Sequence, residues 1–312
     1  MTSTMRKTDT EKKGSTRTLF EGLIDYAGLF PPAALEMAPA VRNYAGYLQS
    51  EDRWMLGRFI VPMSRLSEFE RAADLFFPRG NPVQPWHISI LSSGNLADDL
   101  NRLADFNYLH ATDVHAGAVV VDTVEMKAAK PDDIFRAMKR LPRTLTSYFE
   151  IPITSDPTEL VIALAQSGAL AKVRTGGVTA EAFPSTADLA RFITACADEK
   201  VPFKATAGLH HPLRGNYPLT YESDSESGTM SGFLNVFLAA AFARFGLGED
   251  EVRALLEETA PEVFHFDEEG ITWRTHQLTL QRIDVARNQF ALAFGSCSFE
   301  EPVADLKKIG LL

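Results

Sequence analysis

Residues 169–212 hold two short apolar strands, each with a lysine near its end, on either side of a segment with helical spacing. The first reads Ala169-Leu170-Ala171-Lys172-Val173-Arg174 and the second Val201-Pro202-Phe203-Lys204-Ala205-Thr206. Between them Leu189, Phe192, Ile193 and Cys196 recur on one helical face, and Ser185 with Asp188 three residues later supplies a cap. This strand, helix, strand unit constrains the chain strongly, because parallel strands require helices over their faces. Period two sends Val173, Phe203 and Ala205 to the helix side, and Lys172, Arg174, Lys204 and Thr206 to the other. Three cations on that face would repel one another, which a purely structural core has little reason to hold. A lysine at a strand end also has the plainer option of reaching solvent along its own stem.

The same alternation extends through the chain. Strands are predicted at 22–26, 58–61, 87–91, 118–121 and 145–151, then the two lysine strands, then 290–294. Helical spacing falls between them at 36–49, 64–77, 96–106, 131–141 and 157–168, with Pro131 suited to a first helical position. Eight strands alternating with helices predict the α/β class and a single (β/α)8 TIM-type barrel, with an open doubly wound sheet or two domains as alternatives. Two segments exceed the minimal barrel. Residues 207–228 form a long loop after strand seven, expected to lie over the mouth as a lid, and 249–287 form a small helix-hairpin-helix insert before strand eight. Residues 1–17, rich in Thr, Ser and Lys without an apolar stretch, are expected to be a flexible tail, and 18–312 the barrel domain.

Composition narrows the partners. A net charge of −10 argues against a nucleic-acid backbone, and a cationic pocket within an acidic protein suits a small anionic metabolite. The longest apolar run, 233–245, is too short to cross a bilayer and is interrupted by Asn235 and Arg244, so no membrane partner is expected. Two distant cysteines, Cys196 and Cys297, give no disulfide framework and fit a cytoplasmic location. Association into a homo-oligomer is left open.

In a barrel the strand C-terminal ends meet at one mouth, where such folds keep their chemistry. Asp25, Asp122, Glu150, Lys172, Arg174, Lys204 and the turn 295–301 are expected there. A lysine nucleophile must shed its proton, and its ordinary pKa is about 10.4. A second cation about 6 to 7 Å away at an effective dielectric of about 20 costs the charged form roughly 2.5 kcal/mol, so Arg174 and Lys204 are expected to depress Lys172. Arg174 also offers a fork for a carboxylate. Asp25 and Tyr26 after strand one, Thr175, Thr206, and Ser296 and Ser298 around strand eight are further substrate-contact candidates, with Ser298 and Glu301 spaced as a capping box. Cys297 could be an activated thiol at a helix start or a small buried residue. His210 and His211 are candidates for substrate contact, or, with Asp122 or Glu150, for a divalent metal that polarises a carbonyl.

The stretch Lys172-Val173-Arg174-Thr175-Gly176, followed by Lys204-Ala205-Thr206-Ala207-Gly208, resembles the class I deoxyribose-phosphate aldolase-like barrels. The resemblance covers about forty residues and one aspartate. It implies a Schiff base on Lys172, a pKa-lowering role for Lys204 and proton shuttling by Asp122, with no cofactor. Arg174 has no counterpart in that pattern, and Ala207 replaces the first of a glycine pair, which leaves phosphate binding and the substrate open. The expected function is therefore a lyase acting on a small anionic carbonyl compound, the alternatives being a metal-assisted lyase or hydrolase and a non-catalytic metabolite-binding barrel.

Overall fold

The computed structural model describes residues 14–80, 84–113 and 115–312. Eight parallel strands close into a barrel: β1 (Ile24–Tyr26), β2 (Leu56–Pro62), β3 (Trp86–Leu91), β4 (Val119–Lys127), β5 (Thr146–Glu150), β6 (Leu170–Arg174), β7 (Phe203–Thr206) and, far along the chain, β13 (Ala291–Ser296). Strand β13 closes the ring between β7 and β1. The predicted α/β TIM-type barrel is the fold.

Helices α1 (Ser15–Phe20), α2 (Met37–Tyr47), α3 (Leu66–Ala73), α4 (Leu96–Thr112), α5 (Pro131–Met138), α6 (Thr158–Ser167) and α7 (Thr186–Asp198) precede or link the first seven strands. On α7 the predicted face of Leu189, Phe192, Ile193 and Cys196 is buried, with the Phe192 ring 5.3 Å from Phe203. The next helix, α8 (Phe233–Arg244), is buried from Phe233 to Ala243. It packs against α7 and against α9 (Glu249–Leu256), with α10 (Leu280–Gln289) on a further side, which explains an apolar sequence without a polar face. Asn235 in its first turn is satisfied, accepting from the Arg214 amide and donating to the carbonyls of Leu255 and Glu258.

Three expectations about boundaries change. The loop after β7 contains an antiparallel pair, β8 (Gly215–Pro218) with β9 (Ser227–Met230). The insert is a three-stranded sheet, β10 (Phe264–Phe266), β11 (Gly270–Trp273) and β12 (His276–Thr279), between α9 and α10, so the predicted hairpin gains a third strand. Of the expected N-terminal tail, residues 1–13 lie outside the described residues, whereas Ser15 is buried and donates to the Asp267 carbonyl.

The last helix, α11 (Glu300–Lys308), follows β13 directly. Ser298 accepts from the Glu301 amide at 3.1 Å, half of the predicted capping box, while the Glu301 side chain turns away to His210 and Tyr221. Removing the cap by Ser298→Ala is expected to cost about 1 kcal/mol, measured by chemical unfolding, with α11 losing amide protection first.

Candidate active site

The side chains inside the barrel are placed by strand alternation. In β1, Asp25 points into the lumen, while Tyr26 packs outward on Tyr44, Tyr47 and Phe59. Tyr26 therefore faces the opposite side of the strand from Asp25. In β6 and β7, Lys172 and Lys204 are register partners on the lumenal face, as predicted. Both reach across the lumen, because each ion-pairs with Glu125 of β4, a strand adjacent to neither.

Glu125 is the centre of the site. It lies 2.8 Å from Lys172 Nζ through Oε2 and 2.7 Å from Lys204 Nζ through Oε1, and Ser89 donates to it at 2.7 Å. Lys204 also meets Asp25 at 2.5 Å, and Lys172 meets Glu150 at 3.0 Å. Arg174 donates to the other oxygen of Glu150 at 3.2 Å. The result is a ribbon of alternating charge across the barrel: Asp25, Lys204, Glu125, Lys172, Glu150, Arg174. Exposure rises along it, from 1% of the Lys204 side chain to 50% at Arg174, so the Arg174 end opens toward solvent.

The expected cluster of uncompensated cations thus does not form. Burial would lower the Lys204 pKa, but Asp25 and Glu125 outweigh it and raise the group above the ordinary lysine value. Burial would raise Glu125, and the two lysines overcome that and hold its carboxyl well below the usual range. Glu150 is likewise lowered, with Lys172 and Arg174 overcoming burial. The Tyr148 ring lies 5.4 Å from Lys204 Nζ and lines the same interior.

Asp122 stands elsewhere. The predicted strand ended there, but β4 runs on to Lys127, and a bulge between Ile88 and Ser89 of the β3 pairing falls opposite this point. Asp122 consequently sits in the N-terminal half of β4, where Arg58 donates to it at 2.6 and 3.0 Å and the His87 ring lies 2.7 Å away. Glu125, three residues further, is the acid of this strand that meets both lysines. The continuing apolar residues Val124 and Met126 were the available signal for a longer strand; the bulge that sets which acids face inward carries no sequence mark.

The remaining candidates divide. Thr175 is fully buried and donates to the Ala207 carbonyl at 2.6 Å, so it anchors the turn after β7. Thr206 is the register partner of Arg174 and of Gly295. Ser296 is buried at the end of β13 and accepts from the Ser298 amide, and Ser298 itself caps α11. No family model matches the chain, and no curated protein or solved structure gives a match either.

His210 and His211 do not join Asp122 or Glu150. His210 pairs with Glu301 at 3.1 Å and His211 with Asp305 at 2.6 Å, both partners on α11. Among the described residues no group of three His, Cys, Asp or Glu is arranged to hold a metal ion. These histidines instead line a pocket of about 270 Å³ with Pro32, Leu219, Tyr221 and Glu301. Among the described residues no helix is long and apolar enough to cross a membrane.

Proposed function

We propose that the barrel is an aldol-type lyase acting on a small anionic carbonyl compound through an imine on Lys172. The observation that carries this reading is the position of Lys172 Nζ between two carboxylates, Glu125 at 2.8 Å and Glu150 at 3.0 Å, on the side of the ribbon that leads to Arg174. An amine that forms an imine needs groups to remove its protons and to protonate the departing oxygen. Glu150 is suited to both tasks, being hydrogen-bonded to Lys172 and nearer to solvent than Glu125.

Glu150 takes a proton from the Lys172 ammonium, and the nitrogen lone pair forms a C–N bond with the carbonyl carbon. The carbonyl π pair moves to oxygen, which takes two protons, one released by the newly bonded nitrogen and one returned by Glu150, and leaves as water, so that an iminium remains. That cation accepts the electron pair released when a neighbouring C–C bond breaks or a C–H proton is removed. A substrate carboxylate bound by Arg174 would draw that guanidinium from Glu150 and raise the proton affinity of the very group that must act as base. Lys204 stays an ammonium between Asp25 and Glu125 and fixes the orientation of Glu125 toward Lys172.

The test is borohydride reduction in the presence of a panel of small aldehydes and 2-oxo acids, read by intact-protein mass. A stable adduct is expected with the wild type, mapped to Lys172 and lost in Lys172→Met, whose folding is checked by its melting curve. An adduct retained in Lys172→Met rules the assignment out. If no compound gives an adduct, the non-catalytic binding barrel becomes the better reading.

A further inference from the structure

The pocket of about 270 Å³ has walls from three places: Pro32 after β1, the loop after β7, and Glu301 in α11. No residue of the lysine ribbon lines it. Its polar groups are fixed by one another. Glu301 Oε2 accepts from Tyr221 at 2.9 Å and lies 3.1 Å from Nδ1 of the buried His210. His211 is held by Asp305, 2.6 Å from its Nδ1, and by the Tyr217 ring stacked 3.7 Å away. That leaves His211 Nε2 and Glu301 Oε1, which stand 4.0 Å apart. The separation is too long for a hydrogen bond and short enough for one oxygen to serve both atoms.

We propose that this pocket binds a neutral polyhydroxyl compound of about the size of a monosaccharide, with one hydroxyl group set between His211 and Glu301. A hydroxyl both donates and accepts, which suits these two atoms whether or not the His211 ring carries its second proton. Leu219, Met230 and Pro32 supply apolar wall for the carbon skeleton between the hydroxyls. The volume lies just below the range of about 300–1,000 Å³ that takes drug-sized ligands, so the ligand is small. This site stands apart from Lys172 and does not rest on the imine reading.

Charge selects against the other ligand classes. Burial opposes a charge on His210, but its hydrogen bonding outweighs that and raises the ring to about 9, so it is a cation at neutral pH. Burial would raise Glu301, and His210 overcomes it and keeps the carboxyl below its ordinary value. The two charges therefore cancel. A phosphate or carboxylate would meet Glu222 and Glu301 while both imidazoles are already engaged by acids. An ammonium would add a positive charge beside a carboxylate that His210 has already matched.

The experiment is saturation-transfer NMR on the native full chain, with D-ribose, D-glucose and myo-inositol as neutral probes and glucosamine and a glucose phosphate as charged ones. At least one neutral probe is expected to bind with a Kd below about 10 mM, and more tightly than either charged probe. Glu301→Gln should weaken that binding by roughly 10-fold or more, the worth of a hydrogen bond to a charged group. Thr220→Trp fills the pocket from a half-buried position without touching the Glu301 pairs, and should abolish binding. Melting curves establish that each variant is folded. Lys172→Met should bind as the wild type does, which separates this site from imine formation. Binding of no neutral probe, or of a charged probe as tightly, would overturn the proposal with the wild type alone. Undiminished binding in Thr220→Trp or in folded Glu301→Gln would do the same, and so would loss of binding in folded Lys172→Met, which would place the probe at the ribbon.

Discussion

Replacing Glu125 by glutamine is expected to lower stability by about 3–5 kcal/mol, the range found when one partner of a buried charge pair is removed. The substitution keeps the volume and one hydrogen-bond acceptor, but it removes the charge that two buried ammonium groups share. Lys204 would retain only Asp25, and Lys172 only Glu150. Urea unfolding measures the loss, with Glu68→Gln as a control. Glu68 pairs with Arg65 at the surface, where such pairs contribute at most about 1 kcal/mol. A loss for Glu125→Gln as small as the control's would mean that the ribbon does not hold together as described.

The same carboxyl fixes the sign of an acid dependence. Burial alone would raise the Glu125 pKa, but Lys172 and Lys204 bring it below the unfolded value of about 4.3. Its contribution is therefore fully present above that value and is lost as pH falls through the folded pKa. Glu150 and Asp122, both also lowered, act in the same direction. Wild-type stability should fall steeply below about pH 4, and Glu125→Gln should fall less over that interval.

A buried ribbon of charge is a poor way to stabilise a barrel, since well-packed apolar residues serve as well or better. Its presence is what points to chemistry, and part of it could be read from the sequence. The two lysines declared themselves because each interrupts a short apolar strand near its end, and register then makes them neighbours. Asp25 and Glu150 were legible by the same rule. Glu125 was not, because a bulge sits between the predicted end of β4 and the acid that matters, and an extra residue reverses the alternation without leaving a pattern. Compensation was also invisible. A strand shows which charges face inward, but whether they meet one another or an opposite charge depends on contacts across the lumen, between strands that share no hydrogen bonds. His210 and His211 illustrate the same limit, since α11, ninety residues downstream, supplies their partners.

The two lysines, though paired in register, should respond differently to substitution. Lys204 is enclosed by Asp25 and Glu125 and has its pKa raised, so its proton is firmly held. Lys172 shares Glu150 with Arg174, the most exposed member of the ribbon, so substrate can reach it while displacing only one contact. Lys172→Met should remove the borohydride adduct and lower turnover on the order of 10⁴-fold or more, because the covalent route has no other amine free to supply it. Lys204→Met should still form the adduct on Lys172, with turnover reduced by roughly 10²–10⁴-fold, as expected when a proton-transfer group is left misoriented. The readouts are adduct mass and kcat measured side by side on each variant. An adduct that disappears in Lys204→Met but survives in Lys172→Met would exchange the two roles. In that event the more enclosed lysine would have to become neutral between two carboxylates, and the barrel would have to open around β1 and β7 to admit a substrate.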